Sequence, residues 1–376
     1  MNLEQRRNKL RQQINQMVAD NELQSPDSSV LDYCDGILVL SHASIRYYSG
    51  FSGSNGLLWL DAGNPQHDIL FTDSRYTEQA KQQCGELAVV VTSKRGGEVL
   101  STLDPLPSSI AVEGTALSWP DYVRLDELLH SPHMADISTV ISRQRCVKDA
   151  TELEKLQKAA TCAEQALKEL VEAGTIRAGV TERYVAAQLD FLMGKNGSEG
   201  PSFDTIVAAG ANAALPHHEP DNTVLKEGDL VVIDFGATVD GYKSDCTRTF
   251  SIGKLSDWQE EICATVLEAH ETALAQVEEG VLAGDIDKAA RDIISQAGYG
   301  DKFGHSTGHG VGLDVHESPY VRTGGTEPLE AGSVFTIEPG IYLPDKGGVR
   351  IENTYALLAD GTVHSFQQYS LKVQVV

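Results

Sequence analysis

The chain is expected to fold as two domains of different class, an α/β domain over residues 1–145 and an α+β domain over residues 146–376. A chain of 376 residues is long enough for two ordinary cores, because single cores stop growing with length and chains divide instead. The first 145 residues alternate short apolar β-forming runs with helical stretches, the pattern of helices packed on a sheet. The remainder sets long amphipathic stretches among strand-like pairs that flank turn signals, which points to helices on antiparallel strands.

Taken in order, residues 1–23 (MNLEQRRNKLRQQINQMVADNEL) carry Leu3, Leu10, Ile14 and Val18 at helical spacing. They are too charged for a secretory signal and lack its apolar centre and cleavage pattern. Strands are expected at GILVLSH, GLLWLD, DILFTD and AVVVTS, with helices at SRYTEQAKQQC and SWPDYVRLDELLH. GFSGSNG, residues 50–56, has no lysine and no P-loop pattern, so it reads as a tight connection rather than a phosphate cradle. A boundary falls near Cys146. Beyond it Thr151 and Glu154 have capping-box spacing, and Leu153, Leu156, Ala159 or Ala160, Cys162 and Ala163 follow at helical spacing. Three further helices are expected at TERYVAAQLDFLMGKNG, SDWQEEICATVLEAHETALAQV and AGDIDKAARDIISQAGYG.

Composition excludes several classes. The chain is 41% hydrophobic and 22% charged, as in soluble globular proteins, and no run approaches the length of a membrane span. A formal charge of −24 would repel a phosphate backbone, so nucleic acid is not an expected partner. The six cysteines are scattered without a C-x-x-C pair and read as reduced, buried thiols of a cytoplasmic protein.

The chemistry concentrates in three places. In DLVVIDFGATVDGYKSDCTRTF, Asp234 interrupts the apolar run Val231, Val232, Ile233, Phe235, where an unpaired charge is costly. A turn between Val239 and Asp240 would set Asp234 opposite Asp245, and a turn on Asp240-Gly241 would make them diagonal neighbours on one face. Either way two carboxylates meet and require a cation or a shared proton. In SVFTIEPGIYLPDKGGVRIENTYALL, Glu338 and Glu352 are equidistant from Asp345, so a hairpin there sets them face to face, with Arg350 on the face of Glu352. The third place is GHSTGHGVGLDVHESP, which holds His305, His309 and His316. Four carboxylates and one neutral imidazole balance two divalent cations. Such oxygen-rich sets favour Mn²⁺, with Co²⁺, Zn²⁺ or Fe²⁺ as alternatives.

In the order VVIDFG, SDCTRTF, GHGVGLDVHESP, TIEPGIY and GVRIEN, these motifs resemble the dinuclear metallopeptidases of the pita-bread fold. IRYYSGFSGSNG and FTDSRY are similar to the N-terminal domain of Xaa-Pro aminopeptidases and Xaa-Pro dipeptidases (prolidases), so the resemblance extends over essentially the whole chain. It implies a creatinase-like α/β domain followed by an α+β pita-bread catalytic domain. Asp234, Asp245, His309, Glu338 and Glu352 would ligate two divalent metal ions. Methionine aminopeptidases usually lack the first domain, and creatinase does not keep the full metal set. A zincin-like helical site is rejected, because HSTGHG has no glutamate after its first histidine and contains helix-breaking glycine.

The resemblance also implies roles. Glu338 would move the proton of the attacking water, His316 would stabilise the oxyanion, and His217 would hold the substrate around proline. His305, Tyr342 and Arg350 would line the substrate pocket, while His218 is taken as a bystander. The implied activity is that of an Xaa-Pro aminopeptidase acting on peptides with proline second, with an Xaa-Pro dipeptidase as the alternative. A non-catalytic binding protein of this fold is a third reading, disfavoured because such relatives lose ligands and none is lost here. A homodimer is the assembly the resemblance implies.

Overall fold

The computed structural model describes residues 1–376 except 26–28, 95 and 131. The chain divides into two compact units, Met1–Arg145 and Cys146–Val376.

The first unit contains α1 (Leu3–Ala19), β1 (Gly36–Val39), α2 (His42–Ser49), β2 (Gly56–Asp61), β3 (Ile69–Thr72), α3 (Thr77–Gln83), β4 (Ala88–Val91), β5 (Ser109–Val112), α4 (Trp119–Leu128), β6 (His133–Asp136) and α5 (Ser138–Cys146). Its strands form one mixed sheet in the order β4-β3-β2-β1-β5-β6. Leu38, Trp59, Phe71, Ile110, Leu125 and Met134 pack together as its core. The α1 helix buries Leu10 and Ile14 as its spacing requires, and it also buries Arg6 and Arg11. Arg11 escapes the cost of burial by bonding Asp68 Oδ1 and the Asp61 carbonyl, both at 2.6 Å. Two strands, β5 and β6, and two helices, α2 and α5, were not expected. They span only four to nine residues each, too few for a periodic signal.

The second unit contains α6 (Ala150–Glu172), α7 (Glu182–Lys195), β7 (Ile206–Ala209), β8 (Leu230–Phe235), β9 (Thr238–Val239), β10 (Tyr242–Lys243), β11 (Cys246–Ser251), α8 (Asp257–Leu274), α9 (Ala283–Gln296), β12 (Gly308–Gly310), β13 (Glu317–Val321), β14 (Val334–Ile337), β15 (Gly340–Leu343), β16 (Gly347–Arg350), β17 (Asn353–Leu357), β18 (Val363–Ser365) and β19 (Gln374–Val375). A four-stranded sheet, β19-β11-β8-β7, and a five-stranded sheet, β13-β12-β14-β17-β18, carry two separate helix layers. Leu167 and Leu170 of α6 and Leu189 of α7 pack on Val207, Ile233 and Phe250. Ile262 and Val266 of α8 and Ile286 and Ile294 of α9 pack on Phe335, Ile337 and Val349. The capping box of α6 is not Thr151 with Glu154. Asp149 is the cap and Glu152 its partner, because the Asp149 carboxylate takes the backbone N–H groups of Thr151 and Glu152.

Two hairpins position the carboxylates. β8 pairs with β11 so that Phe235 faces Cys246 and Asp234 faces Thr247. The same register runs through β9 and β10, centring the turn on Asp240-Gly241. Both turn residues have positive φ, +48° and +73°, as a two-residue type I′ turn demands. Asp234 and Asp245 are therefore the diagonal pair. In the second hairpin Gly340 faces Arg350 and, on the far side of a break, Ile337 faces Asn353. Glu338 and Glu352 occupy facing positions at that break. Among the described residues no helix is long and apolar enough to cross a membrane.

Candidate metal centre and substrate pocket

The break between β14 and β15 leaves Glu338 and Glu352 outside the ladder, free to aim carboxylates into a cavity of about 490 Å³. Asp234, on β8, and Asp245, immediately before β11, reach the same cavity. His309 enters from β12, where a Cβ on either flanking glycine would fall 2.0–2.1 Å from a carbonyl oxygen of Thr336 or Ser318. The glycines of GHG are thus required by close strand approach. Gly236 plays the same part opposite Asp245, since a Cβ there would lie 1.9 Å from the Ser244 carbonyl oxygen. His217, His305, His316 and Arg350 line the same cavity.

The distances define a connected set. His309 Nε2 lies 3.2 Å from Glu338 Oε1 and 3.5 Å from Asp245 Oδ2. Its Nδ1 sits 3.1 Å from the Gly310 carbonyl oxygen. A carbonyl only accepts, so Nδ1 carries a hydrogen; Nε2 donates to Glu338 while the ring is protonated and presents its lone pair to a cation once it is not. Thr247 donates to Glu352 Oε2 at 2.7 Å and accepts from Arg350 Nε at 3.0 Å. Arg350 also donates to Asp234 Oδ2 at 2.7 Å and to Tyr342 Oη at 3.0 Å. His305 Nε2 is 2.8 Å from Tyr342 Oη, and its Nδ1 is 2.7 Å from the Ser306 carbonyl oxygen. The tyrosine accordingly accepts from Arg350 and donates to a neutral His305.

Crowding of carboxylates dominates the electrostatics. Burial, together with Glu352, Asp234 and Glu338, raises the pKa of Asp245 well above the usual range. Burial and the charges of Glu338 and Asp234 do the same to Glu352. Burial raises Asp234 as well, against the pull of Arg350. Glu338 is desolvated too, yet the hydrogen bond and charge of protonated His309, with the charge of Arg350, bring it down to about 2. Burial lowers His305 and His316, which keeps both neutral near pH 7.

Such a site calls for cations, and its residues fit them. One ligand atom from each of Asp245, His309 and Glu352 lies within 4.8 Å of the others. Among the described residues none offers a hydrogen bond to the buried Asp234 Oδ1, an oxygen whose desolvation only a cation or donor would offset. The donor set holds no thiolate and suits hard divalent ions.

Two features differ from the sequence expectation. Tyr342, expected in the pocket wall, is buried and bonded to His305 and Arg350 rather than part of the cavity lining, whereas Arg350 lines the cavity with its side chain 3% exposed and donors engaged by Asp234, Tyr342 and Thr247. His218, taken as a bystander, pairs at 2.7 Å with the fully buried Glu182. Sequence reasoning also missed residues that hold the histidine-bearing loops. Asp287 accepts from Thr307 N–H and Oγ1. Arg291 pairs with Asp287 at 2.7 Å and donates to the carbonyls of Phe303 and His305. Lys148 pairs with Glu317, beside His316, at 2.9 Å. The i,i+4 spacing of Asp287 and Arg291 was the available signal, and Thr247 follows from the hairpin register once the turn is centred.

The description "Metallopeptidase family M24" matches residues 154–358, and "Creatinase/Prolidase N-terminal domain" matches residues 32–147. An Xaa-Pro dipeptidase of Pyrococcus furiosus is 38% identical over 327 residues, 87% of this chain and 92% of that protein. The solved structure of an Xaa-Pro dipeptidase from Bacillus anthracis is similar with a TM-score of 0.89 at 32% identity, covering 100% of both chains. An X-Pro aminopeptidase from Thermotoga maritima is similar with a TM-score of 0.85 at 37% identity, over 97% of this chain and 99% of that one.

Proposed function

Because the chain belongs to metallopeptidase family M24, we propose that its substrates are Xaa-Pro dipeptides, cleaved at the bond before proline. Family membership makes it a metal-dependent peptide hydrolase with a creatinase-like first domain and a pita-bread catalytic domain. The observation that carries the finer reading is the convergence of Asp234, Asp245, His309, Glu338 and Glu352 with four further histidines, His217, His218, His305 and His316, in one cavity of about 490 Å³. That volume falls within the range of small-ligand pockets. Phe203, Ile206, Pro216 and Pro220 give it apolar wall against which a proline ring would pack.

Asp234, Asp245, His309, Glu338 and Glu352 would hold two divalent ions, Mn²⁺ being favoured by the oxygen majority. When bound, the ions supply Lewis acidity for the scissile carbonyl and lower the pKa of water. Glu338 Oε1 accepts from Thr336 Oγ1 at 3.2 Å, so Oε2 would take the proton of the attacking water. The same oxygen would return it to the proline nitrogen, a secondary amine that leaves only when protonated. Neutral His316 would donate to the developing oxyanion. His217 would hold the substrate backbone, and the His305–Tyr342–Arg350 chain would keep Asp234 and the pocket wall in place.

Dipeptidase was the alternative from sequence, and the relatives support it over aminopeptidase: those from Pyrococcus furiosus and Bacillus anthracis both bear that name. The Thermotoga maritima neighbour keeps aminopeptidase as the second reading. The test is the relative kcat/KM of the Mn²⁺-loaded protein on Ala-Pro and Ala-Pro-Ala. A clear preference for the dipeptide is expected. A preference for the tripeptide would install the second reading, and cleavage of neither would end the proline assignment.

A further inference from the structure

Within the cavity His217 is held differently from His305 and His309. His305 and His309 are each fixed by ring hydrogen bonds. Among the described residues none holds the His217 ring, which is exposed in a loop between β7 and β8. Its position therefore depends on what holds its backbone. That support converges on one side chain.

Glu182 opens α7 and is 0% exposed. Its Oε1 accepts from the Ala209 N–H at 2.7 Å and from Asn212 Nδ2 at 3.0 Å. Its Oε2 accepts from His218 Nε2 at 2.7 Å and from the Asp221 N–H at 3.3 Å. All four donors come from the stretch 209–221, which brackets His217 on both sides. Together they fill the acceptor sites of one carboxylate. Burial of that charge is tolerable only because the bonds are made. The grouping of Glu182, His218 and Asp221 resembles a cation site, but the saturated Glu182 oxygens leave no ligand for an ion.

We propose that Glu182 and His218 form a clamp that positions His217 for substrate. His218 acts through its neighbour rather than on the peptide: its Nε2 points to Glu182, pinning the residue adjacent to His217 to the rigid start of α7. Pro216 on the other side is tethered by Arg350 Nη1 to its carbonyl at 3.4 Å, so the loop is held at both flanks of His217. The inference deepens the proposed function and rests on it for the role of His217. Glu182 and His218 are positioning residues.

The test is a double-mutant cycle on kcat/KM for Ala-Pro, using His217→Ala, His218→Ala and the double variant, with amide exchange of residues 210–223 in the substrate-free protein. His218→Ala should lower kcat/KM about tenfold, the size expected for one lost charge-assisted hydrogen bond, and should speed exchange across 210–223. In the His217→Ala background the second substitution should cost nothing further. His218→Gln, which keeps a donor for Glu182, should recover most of both readouts. Equal and additive losses would show that His218 meets the substrate itself and would overturn the clamp. Unchanged exchange would overturn it too. Exchange needs no turnover, so a protein that cleaves no Xaa-Pro peptide would refute the proposed function while the clamp was still being measured.

Discussion

Thr247 faces Asp234 across the first hairpin, and its buried hydroxyl joins Arg350 to Glu352. Thr247→Val keeps the shape and removes both bonds. Leaving a buried guanidinium N–H and a carboxylate oxygen unpaired should cost about 1–3 kcal/mol and lower kcat/KM, while Thr247→Ser should retain both. Urea denaturation alongside kinetics on an Xaa-Pro dipeptide reads the two effects, and an unaffected valine variant would refute the role given to the hydroxyl. At this scale the sequence was most legible. The acids and histidines stand in apolar or glycine-rich contexts where their chemistry shows. Thr247, Glu182 and Arg291 were hidden because they are common residue types on element faces, and only a three-dimensional register reveals what each one touches.

The long helices and both hairpins were legible at the level of elements, because apolar spacing and Asp-Gly or Pro-Asp turns mark them. Boundaries were not. The cap of α6 lies two residues before the expected Thr151, since Thr and Asp are both good caps and only the backbone decides between them. The correction can be measured. Asp149→Ala should cost about 1 kcal/mol and lower the melting temperature, with Thr151→Ala near neutral. The reverse ranking would restore Thr151 as the cap. Strands β5 and β6 escaped because four residues each cannot show a period.

For the molecule as a whole, stability is expected to depend on acid through a residue remote from the chemistry. His270 on α8 is buried with its Nε2 3.2 Å from Tyr355 Oη. Burial, with the charge of Arg248, lowers its pKa from 6.5 to about 3. The unfolded chain takes that proton at the higher pH and the folded chain resists it. The neutral imidazole therefore contributes fully above 6.5, and its contribution is lost as pH falls towards 3, by up to about 1.4 kcal/mol per pH unit. His270→Phe should flatten the fall in stability between these limits in urea denaturation at successive pH values. An unchanged slope would place the acid sensitivity elsewhere. Fold class was readable at this scale because each sheet has its own helix layer and its own apolar pattern.

In the proposed function Asp234, Asp245, His309, Glu338 and Glu352 gather two divalent ions that serve Xaa-Pro hydrolysis. The most direct measurement is stepwise return of Mn²⁺ to chelated protein, following Ala-Pro hydrolysis against metal bound per chain, for the wild type and for Asp245→Ala. Hydrolysis should be absent without metal and saturate near two ions per chain, and Asp245→Ala should lose both tight binding and turnover. Full turnover by the metal-free protein, or wild-type binding and activity in Asp245→Ala, would contradict the account.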